Sequence, residues 1–136
     1  GALVVVDNTW GPAIFRPLEM GADVSINAAT KYIGGHSDLM MGLIACSEAT
    51  YRPVKLSVKA LGCPAGPDDC YLALRGLRTL SVRMKRHEAS GLEIARWLEG
   101  RQEVLRVMHP ALESHPQHAI FKRDFTGSNG LFSFQL

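Results

Sequence analysis

Two short apolar runs, each closed by residues that carry chemistry, constrain this chain more than anything else in it. Leu3-Val4-Val5-Val6 is unbroken, largely β-branched and ends in Asp7, and Asp23-Val24-Ser25-Ile26-Asn27 leads into Ala28-Ala29-Thr30-Lys31. An unbroken apolar run of this length is the pattern of a strand covered on both faces in a parallel sheet. Lys31 follows Asp7 by 24 positions, enough chain for the crossover that parallel neighbours require. Residues 40–46 read as a third strand around Gly42. In open α/β sheets ligands bind beyond the carboxyl ends of the strands, so Asp7 and Lys31 are expected to share one crevice.

The rest of the chain alternates in the same manner. Residues 15–20 predict a short helix closed by Gly21, and 48–61 a helix interrupted by Pro53. The run 62–67 breaks any period. From 68 to 98 Tyr71, Leu74, Leu77, Leu80, Met84, Leu92, Ala95 and Leu98 recur mostly at steps of three or four, which predicts one long helix with Gly76 and Gly91 as places for bends. Residues 104–108 predict a strand, 114–123 a helix or irregular segment, and the alternating stretch from Leu131 a half-buried strand. This change of rhythm divides the chain into a first domain of residues 1–77 and a second of 78–136, joined within the long helix. Both ends read as strands entered or left part-way, which is expected of the middle of a longer chain.

Composition bounds the function. With 136 residues, 46% hydrophobic and 21% charged, the chain can bury an ordinary core. The net charge of +2 is spread along the sequence, apart from Arg83, Lys85 and Arg86, which read as a solvated helix face; nothing points to nucleic acid. No apolar run approaches a membrane span. Cys46, Cys63 and Cys70 are odd in number and contain no C-x-x-C pair, which argues against a disulfide framework or a thiolate zinc site and fits a reducing, cytoplasmic setting.

Lys31 is the candidate nucleophile. Framed by small residues and a threonine just past a strand end, it is placed to form a Schiff base, a role that requires a tight, partly desolvated niche lowering the amine pKa. A carboxylate paired with such a lysine suits pyridoxal phosphate, because the acid keeps the ring nitrogen protonated while the lysine holds the aldehyde. The plainer alternative is that Asp7 caps a turn and Lys31 is a surface cation.

The segment from Asp23 through Asn27-Ala28-Ala29-Thr30-Lys31-Tyr32-Ile33-Gly34-Gly35-His36-Ser37 resembles, residue by residue, the cofactor-attachment signature of the cysteine and methionine metabolism family of pyridoxal-phosphate enzymes. The resemblance extends through Asp7-Asn8-Thr9-Trp10, Arg75-Gly76-Leu77-Arg78-Thr79-Leu80, His109-Pro110-Ala111-Leu112 and Lys122-Arg123-Asp124-Phe125. It implies an α/β fold of fold type I. The chain would hold part of the large, aspartate aminotransferase-like domain, with its mostly parallel sheet, and the start of a smaller carboxyl-terminal α/β domain. It implies Lys31 as the attachment lysine and acid/base, Asp7 as partner of the pyridinium nitrogen, and Thr30 as a hydroxyl ligand of the cofactor phosphate. Many relatives carry serine where this chain has Ala28, which removes one possible hydroxyl contact.

The activity that the resemblance implies is carbon–sulfur lysis, and the segment at 122–125, with Trp10 and the ending 130–134, is most similar to members that cleave cystathionine by β-elimination. γ-Elimination, γ-synthase or sulfhydrylase chemistry shares the lysine signature, and a non-catalytic truncated product is the alternative of a different class. The family implies a homo-oligomer, expected to be a tetramer. It also places further phosphate donors, a ring-stacking aromatic residue and the substrate-carboxylate arginine outside these residues, so the 136-residue piece alone is expected to be inactive.

Other candidates read as structural. His36 and Asp38 form a lone H-x-D that suggests loop hydrogen bonds and no metal; His115 and His118 read as surface residues. Trp10 either lines the ligand site or packs beneath the sheet, the commoner use. Arg75 and Arg78 are expected in solvated or interdomain salt bridges.

Overall fold

A computed structural model describes residues 1–136, which form two compact units, Gly1–Leu80 and Ser81–Leu136. The first holds a three-stranded sheet in the order β1 (Val5–Asp7), β2 (Val24–Ala28), β3 (Gly42–Cys46). β1 pairs with β2 in parallel, Val5 opposite Val24 and Asp7 opposite Ile26, as the long connection predicts. β2 pairs with β3 antiparallel, Ile26 opposite Ile44 and Ala28 opposite Gly42, so the sheet is mixed. The link from β2 to β3 contains no helix to carry the chain back across the sheet, and it reverses direction through a series of turns.

The expectation that these strands are covered on both faces does not hold. Asp7, Ile26 and Ile44 stand in one rung across the sheet and all are exposed, as is Val5 beside them. No element of this unit covers that end of the face. α1 (Glu48–Ala60) packs against β3. The buried Thr50 ties its first turn to the sheet by donating to the Asp23 carbonyl at 2.9 Å, while the Ser47 amide donates to the same oxygen at 2.8 Å. Pro53 removes one helical donor without interrupting the helix, and the Ser57 hydroxyl donates to the Pro53 carbonyl at 3.0 Å.

The segment at 15–20 is a single turn and not a helix. Pro17 lacks a donor, and Gly21, at φ +94°, closes the turn after one cycle: its amide donates to Leu18 and that of Ala22 to Pro17. The long helix is likewise two, α2 (Pro67–Leu77) and α3 (Leu80–Glu99). The amide and hydroxyl of Thr79 both donate to the Gly76 carbonyl, at 3.1 and 3.2 Å, and this local bonding replaces the helical ladder at the junction.

The core of the first unit joins α2 to the segment after β2. Ala29, Ile33, Leu39 and Ala73 are buried together, with Met41, Leu43 and Leu72 packed around them. Each fully buried Ile or Leu contributes about 1.5–3 kcal/mol.

The second unit runs through α3, β4 (Arg106–Met108), α4 (His118–Asp124) and β5 (Ser133–Gln135) in that order, and β4 pairs with β5 antiparallel. Ala95, Leu98, Val107 and Leu112 form its core, flanked by Leu92, Val104 and Phe132. Gly91 makes no bend; a side chain there would press at 3.2 Å on the backbone of Asn129 and Gly130. Lys85 and Arg86 are exposed as expected, whereas burial of Arg83 lowers its pKa. No helix is long and apolar enough to cross a membrane.

Candidate functional site

Asp7 ends β1, and its carboxylate is held by the residues that follow. The Thr9 amide donates to it at 2.9 Å, and hydrogen bonding from the Thr9 side chain and backbone holds the Asp7 carboxyl below the ordinary carboxylate value. Thr9 is itself buried, and its hydroxyl oxygen accepts from the Ala28 amide at the end of β2 at 2.8 Å. The Asn8 amide donates to Ile26 at 2.7 Å, so the loop after β1 is stitched to the last residues of its parallel neighbour.

An open concavity of about 370 Å³ lies at these strand ends, lined by Asp7, Thr9, Ile26 and Ala28 on one side and Thr30, Met41 and Gly42 on the other. Thr30 is fixed by Met41: its hydroxyl oxygen accepts from the Met41 amide at 3.1 Å and its amide donates to the Met41 carbonyl at 3.3 Å. The hydroxyl proton meets the same carbonyl only at 3.5 Å, at the limit of bonding, so it is available to a better acceptor.

Asp7 and Thr30 are thus brought to one cavity, and Lys31 is the residue after Thr30. Its side chain does not line the cavity and is exposed, not enclosed in a desolvated niche. The reason lies in the turn that carries it. Lys31 donates its amide to Ala28 at 3.0 Å and Gly34 to Ala29 at 2.7 Å; this winding sends Ala29 and Ile33 into the core and leaves Lys31 outward between them.

One further expectation changes. Trp10 is 47% exposed and meets Tyr32 edge to face, with ring centres 6.0 Å apart, so it neither lines the cavity nor packs beneath the sheet. Arg75 pairs with Asp38 inside the first unit in a half-exposed salt bridge, the solvated kind of pairing expected of it. His36 contacts the Gly34 carbonyl through Nδ1 at 2.8 Å, so both members of the H-x-D pair do fix the loop. No group of three His, Cys, Asp or Glu side chains is arranged to hold a metal ion.

Thr9 is the site residue that sequence reasoning passed over. A hydroxyl two positions after an aspartate is a recognisable turn signal, and here the turn holds the Asp7 carboxyl below its ordinary value. The Asp7 pKa is depressed, so its contribution to stability is present above the ordinary 3.8 and is lost as the pH falls through the lower folded value. Thr9→Val is expected to move the Asp7 midpoint up toward 3.8 while Thr9→Ser leaves it low. Carboxyl NMR titration reads this, and an unmoved midpoint in Thr9→Val refutes the assignment.

Comparison with known proteins places this geometry. Cystathionine beta-lyase MetC of Escherichia coli K12 is 46% identical over 136 residues, covering 99% of this chain and 34% of that protein. Cystathionine gamma-lyase of Sus scrofa is also 46% identical, over 98% of this chain and 34% of its own. A crystal structure of cystathionine gamma synthase from Xanthomonas oryzae pv. oryzae in complex with cystathionine superposes with a TM-score of 0.95 at 40% identity, covering all of this chain and 36% of that one. The chain therefore has the α/β fold of that protein and spans about a third of the length of the relatives it matches. The family model of Cys/Met metabolism PLP-dependent enzymes matches from residue 1 to residue 136, and with that match the chain belongs to this family, whose cofactor is pyridoxal phosphate.

Proposed function

We propose that the full-length protein is a carbon–sulfur lyase that cleaves L-cystathionine by β-elimination to homocysteine, pyruvate and ammonia. The observation that carries the reading is the meeting of Asp7 and Thr30 on one cavity, immediately before Lys31, in a chain of a pyridoxal-phosphate family. Residues 1–77 would belong to the cofactor-binding domain and 78–136 to the connecting helix and the beginning of the next. A cytoplasmic location accords with three free cysteines. Assembly as a homo-oligomer, a tetramer, follows the family resemblance and is read by light scattering.

The donor set fits the cofactor. Asp7 offers an ionised carboxylate for the ring nitrogen, Thr30 a hydroxyl proton for the phosphate, and Lys31, exposed and outside the cavity lining, a primary amine for covalent attachment. When bound, pyridoxal phosphate supplies an electron-accepting ring that stabilises negative charge at the substrate Cα. The chain's own residues do the rest. Thr9 donates to the Asp7 carboxylate and fixes its position; Met41 orients the Thr30 oxygen so that its proton can face an anion. Lys31 would hold the cofactor through its amine, and the same Nζ would take the substrate Cα proton and return a proton to the product. Met40, Met41 and Ile26 give the cavity apolar walls.

γ-Elimination is the second reading, and the equal identity to a gamma-lyase and a beta-lyase favours keeping it. Product analysis of the full-length protein with cystathionine decides. Pyruvate with homocysteine is expected; 2-oxobutyrate with cysteine would replace the β-elimination reading by the second.

A further inference from the structure

The turn that carries Lys31 has few ties of its own. Beyond the Gly34-to-Ala29 bond, the Gly35 amide returns to the Lys31 carbonyl at 2.7 Å, and the chain then runs exposed through Gly35 and Ser37, both at positive φ, to Asp38. Thr30 ties its start to Met41 and His36 bonds the Gly34 carbonyl; further support comes from α2. A side chain at Gly76 would overlap the Ile33 and Gly34 carbonyl oxygens and stand 2.8 Å from the Gly34 Cα, so the helix backbone lies directly against the peptide that follows Lys31-Tyr32. Ala73, three residues earlier and on the same helical face, is buried with Ala29 and Ile33 on either side of the lysine. One residue before Gly76, Arg75 pairs with Asp38 at the far end of the loop.

We propose that Arg75 and Gly76 are positioning residues for Lys31: α2 holds the turn that presents the amine, by backbone contact at its middle and by an ion pair at its end. The proposal rests on the reading of Lys31 as the attachment lysine. The Arg75–Asp38 pair is half exposed, with side chains 45% and 36% accessible. Pairs of that kind add little to stability, so its removal should leave the fold intact and act on the placement of the turn. Displacement of a reacting group by a fraction of an ångström is enough to slow its chemistry severalfold or more.

The test uses the full-length protein, stripped of cofactor and mixed with pyridoxal phosphate. Borohydride trapping and peptide mapping follow the rate of attachment to Lys31, and visible circular dichroism follows the orientation of the bound ring. Arg75→Ala and Asp38→Asn are each expected to slow attachment roughly tenfold and alter the dichroic band at an unchanged melting temperature. The double variant should be no slower than either single one, and Arg75→Lys should recover part of the rate. Gly76→Ala should show the same loss together with a lower melting temperature; Asp38→Asn, nearly isosteric, keeps the test decisive if that variant fails to fold. Attachment to Lys31 at the wild-type rate in Arg75→Ala and Asp38→Asn, or a double-variant loss equal to the product of the single losses, overturns the positioning role. Attachment in the wild-type protein at another residue overturns the lysine assignment, and the positioning role with it.

Discussion

Lys31→Ala in the full-length protein is expected to abolish covalent attachment of pyridoxal phosphate and to lower turnover of cystathionine by at least about 10²–10⁴-fold, the range that a positioned acid/base alone accounts for. The melting temperature without cofactor should not move. Lys31 is exposed and its side chain lies outside the core of Ala29, Ile33, Leu39 and Ala73, and substitutions at such positions change stability by no more than about 0.5 kcal/mol. The amide and carbonyl bonds that shape the turn, to Ala28 and from Gly35, are made by the backbone and survive the substitution. Chemistry and folding are therefore separable here, which is rare for a residue flanked on both sides by core positions. Borohydride reduction followed by peptide mapping checks the first half and calorimetry the second. A variant that still takes up a reducible label at stoichiometric level, or keeps activity within tenfold, refutes Lys31 as the attachment site.

The parts of this site legible in the sequence are those set by local pattern. The apolar run into Asp7, the 24-position spacing to Lys31 and the small residues before it foretold two parallel strands ending at one cavity, and β1 and β2 are parallel with Asp7 and Thr30 on its wall. What local pattern does not contain is the effect of other segments. The exposure of Val5, Ile26 and Ile44 depends on what lies over the sheet, which apolar content in a strand cannot report. Helix periodicity continued through residues 78 and 79, yet a threonine hydroxyl competing for the Gly76 carbonyl ends α2 there. Gly76 looked like a weakness in a helix; its use is visible only when Ile33 and Gly34 are brought against it from 43 and 42 positions earlier in the chain. The depressed pKa of Asp7, in contrast, comes from a neighbour two residues away and was readable from the spacing alone.

The second unit is expected to lose stability as the pH falls below about 6.5, because of His109. This ring is 1% exposed, the largest side chain fully buried in the chain, and lies against Phe132 with ring centres 5.5 Å apart. Its Nδ1 accepts from the Ala111 amide at 3.2 Å, so the neutral ring carries its proton on Nε2, a buried atom with no hydrogen-bond partner. Protonation of Nδ1 would break the bond to Ala111 and place a full charge in an apolar core, and desolvation accordingly lowers the His109 pKa. Above 6.5 the ring is neutral in both folded and unfolded chains and the term vanishes; below it the unfolded chain binds the proton first, and stability falls by up to about 1.4 kcal/mol per pH unit until the lower folded pKa is reached. His109→Asn keeps an acceptor for the Ala111 amide but removes the ring. It should destabilise the unit by about 2–4 kcal/mol at neutral pH, as large-to-small core changes do, and flatten the pH dependence below 6.5. Hydrogen exchange at the α3 amides of Ala95 and Leu98, followed against pH in both proteins, measures the effect. A wild-type unit whose protection is as pH-independent as that of His109→Asn would show that the buried ring does not control its acid stability.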